Sequence, residues 1–286
     1  MKRCTSIQSL REELQHSRSA GRRIGLVPTM GALHEGHLSL ARTLSQHCDV
    51  RVCSVFVNPL QFNDPKDYEA YTVNLERDQA LLAHEGVDLL FVPSVEEMYP
   101  SGFQTSVTVR QVSKPFEGEF RPGHFEGVAT VVSMLFNIVR PDVAIFGEKD
   151  LQQLILIEQM VRDLKFDLEI VRGALVRDPD GLALSSRNVR LSAEGRGHAL
   201  SISRGLFQAR EAFASGETRA SVLEQIAVDE IHSMPEPQID YVALVDERSL
   251  DRVERVEGSC RIVVVARVEG VRLLDNIALV SPLIGT

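Results

Sequence analysis

The chain has 286 residues, 44% hydrophobic and 25% charged, and its 31 Lys plus Arg against 40 Asp plus Glu leave a net charge of −9. That apolar content excludes disorder for the bulk of the chain. The acidic balance without any basic block argues against a nucleic-acid-binding surface, although a local basic pocket for a phosphate stays open.

The spacing of Ile7, Leu10 and Leu14 predicts a helix from Ser6 to Arg18. Arg22 to Pro28 reads as a short buried strand around Ile24-Gly25-Leu26-Val27, and small and polar residues fill Thr29 to Gly36. A helix pattern follows from His37 to His47, carried by Leu38, Leu40, Ala41 and Leu44, and then a strand from Val50 to Val57. Asn58 to Tyr71 is polar and interrupted by two prolines, which predicts a long loop. A helix from Val73 to Glu85 and a strand from Asp88 to Val92 come next. The alternation resumes with a helix over Gly127–Val139, a strand over Val143–Phe146, a helix over Asp150–Leu164 and a strand over Leu168–Val171.

Strands as apolar as Val52-Cys53-Ser54-Val55-Phe56-Val57 fit a parallel sheet covered on both faces. The fold class expected is therefore α/β, a Rossmann-like parallel sheet whose ligands lie beyond the carboxyl ends of its strands. After about Leu175 the character changes. Ser192 to Ala214 and Thr218 to Ser233 look helical, and strands are expected over Ile239–Val245, Arg261–Val268 and Val271–Leu279, with Gly270 as a turn residue. At roughly 150 residues per domain, this suggests a nucleotide-binding domain over 1–175 and a smaller C-terminal α+β domain over 176–286.

The four cysteines, Cys4, Cys48, Cys53 and Cys260, make neither a CxxC pair nor a disulfide framework. Met1 to Ser6 leads into polar, charged residues, and no apolar run reaches the ~18–20 residues of a membrane span. A cytoplasmic enzyme with no membrane contact is expected.

The most informative segment is Pro28-Thr29-Met30-Gly31-Ala32-Leu33-His34-Glu35-Gly36-His37, between the first sheet strand and its helix. Unpaired backbone N–H groups and the helix dipole favour an anion at such a place. Histidines there can donate to phosphate oxygens, and Gly31 and Gly36 allow close backbone approach. A surface turn with two solvated histidines is the simpler alternative. Three motifs are missing: HExxH, the P-loop and GxGxxG, which weakens metalloprotease, kinase and dehydrogenase readings.

His34-Glu35-Gly36-His37 resembles the HxGH signature of nucleotidyltransferases related to class I aminoacyl-tRNA synthetases. Four further blocks extend the likeness: Phe56-Val57-Asn58-Pro59-Leu60-Gln61-Phe62, Phe120-Arg121-Pro122-Gly123-His124-Phe125, Phe146-Gly147-Glu148-Lys149-Asp150-Leu151-Gln152-Gln153, and Asp180-Gly181-Leu182-Ala183-Leu184-Ser185-Ser186-Arg187-Asn188. Together, and in order from about residue 24 to residue 190, they resemble the pantoate–β-alanine ligase family. The C-terminal remainder carries weaker motifs.

The resemblance implies ATP-dependent joining of pantoate and β-alanine to pantothenate through a pantoyl-adenylate, releasing AMP and pyrophosphate. A carboxylate attacking phosphorus brings two anions together, so fixed donors and cations must neutralise the phosphates. The roles of His34, His37, Lys149, Ser185, Ser186 and Arg187 follow as catalytic. The resemblance places ATP against Met30, Gly31, Ala32, Leu33, His34, Glu35, Gly36 and His37. It also places ATP against Gly147, Glu148, Lys149 and Asp150, and against Val176, Leu184, Ser185, Ser186 and Arg187. Gln61 and Gln153 are assigned to pantoate, Gln61 also near β-alanine, because neutral amides can serve both carboxylate and hydroxyl; Asn58 is a candidate helper.

Each residue has a plainer reading when taken alone. Lys149 between Glu148 and Asp150 reads equally as a solvated charge cluster. Ser185-Ser186-Arg187-Asn188 reads as a simple helix cap, and lone glutamines are mostly surface residues. Asn63 to Tyr71 reads as a lid over the pocket or as an ordinary surface loop. Asp78 is a conceivable magnesium ligand, but magnesium usually travels on the ATP phosphates, so no protein metal site is assigned. ATP is the co-substrate, and a homodimer is implied by the resemblance. The alternative activity is an adenylyltransferase moving AMP to a phosphate acceptor, which would need a basic acceptor pocket where Gln61 and Gln153 are neutral.

Overall fold

A computed structural model of the chain describes residues 1–280; residues 281–286 of the expected second domain lie outside the described residues. Packing divides the chain into two units, one made of 1–148 with 152–174 and the other of 149–151 with the chain from Leu175 onward.

In the first unit, among the described residues, six strands form one sheet: β1 (Lys2–Cys4), β2 (Ile24–Thr29), β3 (Val50–Val55), β4 (Leu89–Phe91), β5 (Val143–Gly147) and β6 (Glu169–Gly173). Their order is β1-β4-β3-β2-β5-β6, and every neighbouring pair is parallel. The Rossmann-like expectation is met. The strands read as continuous apolar runs because both faces are covered. Leu26, Val52, Phe91, Ala144 and Phe146 join the core beneath α1 (Ile7–Ser19), α7 (His124–Val139) and α8 (Leu151–Leu164). Their sequence neighbours Val27, Cys53, Leu90, Val143 and Ile145 face α2 (Glu35–Leu44) and α4 (Leu75–His84). This is the two-residue period of a strand applied to two cores at once.

The segment from Asn58 to Tyr71 departs from the expected long loop. A 3₁₀ turn spans Pro59–Gln61 and α3 spans Pro65–Glu69. Both prolines stand at the first helical position, behind the caps Asn58 and Asp64, where no backbone N–H is needed. Two further short helices escape the periodicity reading, α5 (Val95–Met98) and α6 (Glu117–Phe120). The helix expected from His37 begins at Glu35, and the one expected from Gly127 begins at His124.

In the second unit α9 (Ala193–Ala214) and α10 (Ala220–His232) share a core with an antiparallel sheet of β7 (Gln238–Asp246), β8 (Ser259–Val268) and β9 (Val271–Val280). Val268 pairs with Val271 across a two-residue turn in which Glu269 and Gly270 have φ of 51° and 76°. That is the left-handed pair a tight hairpin requires. The Glu269 carboxylate accepts from the Ser192 backbone N–H and hydroxyl at the entrance of α9.

Candidate active site

The chain runs from β2 outward through β3 to β4 on one side and then returns to lay β5 and β6 on the other. The carboxyl ends of β2 and β5 therefore flank a topological switch point, where open α/β sheets bind ligands. Met30 to His37 follow β2, and Gly147 ends β5 with Glu148 directly after it.

The turn after β2 is shaped by its own backbone. Gly31 and Ala32 both have positive φ, 80° and 52°. A Cβ on Gly31 would come within 2.7 Å of Val73 Cγ1 and 3.1 Å of Asp78 Oδ2, so glycine is required for space as well as for φ. Ala32 is an L-residue in the left-handed region, which costs about 1–2 kcal/mol. Compensation comes from Asp78, which is 0% exposed. Its Oδ2 accepts from Ala32 N at 2.8 Å and its Oδ1 from Leu33 N at 3.0 Å. Arg77 donates to the Leu33 carbonyl at 3.1 Å. Asp78, considered in the sequence as a magnesium ligand, thus has both oxygens engaged by this turn.

His34 is the N-cap of α2, and its Nδ1 accepts from Gly36 N at 3.2 Å. His37 Nδ1 accepts from His34 N at 3.3 Å, closing a reciprocal capping box. The rings lie 4.0 Å apart at 39°. An Nδ1 that accepts a backbone N–H carries no proton, so each imidazole holds its proton on Nε2 and each Nε2–H is a donor. Glu35 is exposed, with its side chain paired to Arg42 along α2.

Gln61 is buried and held at both ends. Its backbone carbonyl accepts from Arg121 at 3.2 Å and from His124 Nδ1 at 2.8 Å. A carbonyl only accepts, so His124 bears its proton on Nδ1 and turns its Nε2 to Arg121 at 3.1 Å. Asn58 Nδ2 donates to Gln61 Oε1 at 3.0 Å, and Gln61 Nε2 reaches Met30 Sδ at 3.0 Å. The structure thus brings together Met30, Gln61, Asn58, Arg121 and His124. Gln153 is half-buried one position beyond Gln152 in the first turn of α8. Gln152 is buried and latches the preceding loop, accepting from Glu117 N and donating to the carbonyls of Val112 and Pro115. The expected lid segment includes α3, and Tyr71 donates to the Gly31 carbonyl at 3.4 Å.

The remaining candidates belong to the second unit. Val176 and Leu184 pair across a turn through Leu184 N to Val176 O at 3.0 Å, with Arg177 bridged to Ala183 between them. Gly181, at φ 99°, makes the reversal. Ser185 Oγ accepts from Arg187 N at 3.2 Å, and Asn188 Nδ2 donates to the Ala183 carbonyl at 3.0 Å. The plainer cap reading is corrected here: the long helix α9 is capped by Ser192, and Arg187 opens only a short 3₁₀ turn without a side-chain cap. Ser185, Ser186 and Arg187 are half-buried in this loop.

Two partners of this loop carried no sequence signal. Arg177 makes a bidentate pair with Asp275 at 2.6 and 2.7 Å, joining the hairpin to β9. Burial pushes the Asp275 carboxyl up, and the Arg177 guanidinium opposes it. Asn276 accepts from Arg261 at 2.8 Å through Oδ1, which turns its Nδ2 to the Lys149 carbonyl at 3.2 Å. Lys149 itself is half-buried and Asp150 exposed, both within a 3₁₀ turn over Glu148–Asp150.

The family model described as pantoate-beta-alanine ligase matches residues 2–278. A pantothenate synthetase of Pelotomaculum thermopropionicum is 48% identical over 273 residues, covering 96% of this chain and 97% of that one. One from Heliobacterium modesticaldum is 49% identical over 273 residues, with 94% and 97% covered. The crystal structure of pantothenate synthetase from Thermus thermophilus superposes with a TM-score of 0.93 at 44% identity, covering 98% of this chain and 100% of that chain. A pantoate-beta-alanine ligase from Francisella tularensis, solved with beta-gamma ATP and beta-alanine, gives a TM-score of 0.80 at 33% identity, with 97% of each chain covered.

Proposed function

This chain belongs to the pantoate–β-alanine ligase family, and from that premise we propose how its residues divide the work. The enzyme is a carbon–nitrogen ligase that condenses pantoate with β-alanine at the expense of ATP. The adenylyltransferase alternative is set aside with that membership.

The observation that carries the assignment of residues is the paired imidazoles at the entrance of α2. Backbone N–H groups occupy both Nδ1 atoms, so His34 and His37 are fixed donors through Nε2–H. In the reading proposed, they bind ATP phosphate oxygens while the pantoate carboxylate attacks the α-phosphorus. A phosphorus–oxygen bond forms to pantoate, the bond to the β-phosphate bridge breaks, and pyrophosphate leaves. The amine of β-alanine then attacks the pantoyl-adenylate carbonyl, loses a proton and expels AMP. Donors fixed before reaction stabilise developing charge without reorganising, which is what a capping box secures.

Lys149 and Arg187 supply cations, and Ser185 and Ser186 hydroxyls, for the leaving phosphates, and Gly147, Asp150 and Val176 serve the nucleoside. Gln61 and Gln153 take pantoate. Residues 1–175 serve as the nucleotide- and pantoate-binding domain, followed by the smaller C-terminal α+β domain. Among the described residues no group of three or more His, Cys, Asp or Glu side chains is disposed to hold a metal ion. Magnesium enters this reading as part of the substrate, carried on the ATP phosphates. We read the enzyme as a cytoplasmic homodimer; four free thiols support the reducing compartment. No helix among the described residues is long and apolar enough to cross a membrane.

The test is isotope exchange between pyrophosphate and ATP. Exchange is expected with pantoate alone, and pantothenate formation with release of AMP only when β-alanine is added. Exchange that requires β-alanine, or that proceeds without pantoate, would contradict the adenylate order.

A further inference from the structure

Gln61 sits in a chain of amides whose direction can be read atom by atom. Asn58 is 1% exposed, and all its side-chain polar capacity is used. Its Nδ2 faces the Gly127 carbonyl at 3.1 Å, which can only accept; its Oδ1 faces Leu60 N at 3.3 Å, which can only donate. These two backbone groups leave Asn58 a single orientation. Its second Nδ2 hydrogen then goes to Gln61 Oε1, and Gln61 is left with its NH₂ on the open end, against Met30 Sδ. One of those hydrogens goes to Met30 Sδ, so Gln61 presents its remaining N–H, not its side-chain carbonyl, to a ligand beside Met30.

The Leu60 contact that orients Asn58 is long, and the short one comes from elsewhere. The Tyr99 hydroxyl donates to Asn58 Oδ1 at 2.8 Å. Its ring packs against Phe103, edge-on at 5.0 Å, and against Phe56 at 6.0 Å, which narrows the positions the hydroxyl can take. Burial pushes the phenol up, which keeps its proton in place as a donor. In a buried chain each hydrogen bond polarises the next.

We infer that Tyr99 is a positioning residue for pantoate, acting through Asn58 to hold the Gln61 amide with its remaining N–H donor outward. The inference rests on the assignment of Gln61 to pantoate and adds to it the chemical class of the contact. The atoms recognised are acceptors, the carboxylate or hydroxyl oxygens of the hydroxy acid.

The experiment is a double-mutant cycle in the full-length enzyme with Tyr99→Phe, Gln61→Ala and the pair. Tyr99→Phe removes one oxygen and keeps the ring packing. It is expected to raise the KM for pantoate about three- to tenfold, the worth of one buried hydrogen bond, and to leave the KM for ATP unchanged. In the Gln61→Ala background the same change is expected to add nothing, because the group it orients is gone. A KM for pantoate unmoved by Tyr99→Phe while Gln61→Ala raises it overturns the relay alone. So does an effect that persists in the Gln61→Ala background or that falls equally on ATP, since both describe a general packing role. If Gln61→Ala itself leaves pantoate binding untouched, the assignment of Gln61 fails, and the relay with it.

Discussion

Replacing Asp78 with Asn tests whether a carboxylate, rather than the loop's own sequence, holds the turn that delivers the two histidines. The native carboxylate accepts from two successive N–H groups at 2.8 and 3.0 Å in a site with no solvent exposure. A hydrogen bond to a charged group contributes about 1.5–3 kcal/mol, and an amide can keep only one acceptor while turning its NH₂ against the other N–H. The ion pair to Arg77, at 3.8 Å and with Arg77 more than half exposed, adds little. The expected loss is therefore roughly 2–4 kcal/mol, with Ala32 no longer held in its left-handed conformation. Urea unfolding followed by far-ultraviolet circular dichroism, without nucleotide or magnesium, measures it; the chain has no Trp to report by fluorescence. Pantoate-dependent exchange of pyrophosphate should fall in parallel. A stability change below about 0.5 kcal/mol, the range of an ordinary surface substitution, would refute the reasoning. Lost exchange with intact metal-free stability would point instead to a magnesium ligand.

Other expectations follow from the same geometry. His37→Ala should slow adenylation by more than about tenfold, as loss of one positioned donor does, with far-ultraviolet dichroism unchanged; full activity would remove the imidazoles from the mechanism. Lys149→Ala should impair pyrophosphate exchange yet spare attack of β-alanine on preformed pantoyl-adenylate, and equal loss in both half-reactions would assign the lysine to architecture. Gln153→Ala should raise the pantoate requirement more than the ATP requirement; an ATP-only defect would reassign it. Burial raises all four thiols, Cys48 to about 11 and Cys53 to about 12. The thiolate is the reactive form, so iodoacetamide at pH 8 should label the native protein slowly and all four cysteines rapidly in denaturant. Rapid native labelling of Cys53 would mean that strand β3 opens.

Much of the first unit was legible because its signals are local. Strands β2, β3 and β5 are apolar on both faces, α1 and α2 carry a buried stripe and α7 is buried almost all round, so apolar pattern and length suffice to find them. The second unit's hairpin was equally plain, since Gly270 marks the turn between the β-branched run that ends at Val268 and the mostly apolar segment that starts at Val271. β1 has only three residues and pairs with β4, far along the chain, so no window of sequence distinguishes it from a tail. The 3₁₀ turn and α3 were hidden by prolines that act as helix starters once Asn58 and Asp64 cap them, a distinction that rests on caps rather than composition.

The candidate site divides along the same line. His34, Gly36 and His37 declare themselves by spacing within one turn, because a helix entrance is built from consecutive residues. What holds that entrance does not: Asp78 lies 45 residues beyond Leu33, and its carboxylate meets the turn only when α4 packs beside β2 and β3. Tyr99, 41 residues from Asn58, and Asn276, 127 from Lys149, were equally silent. Residue type and order decided which groups the chain could bring to an anion. Which oxygen or nitrogen each presents was decided only by folding, because amide and imidazole orientations are set by buried partners supplied from distant strands and helices.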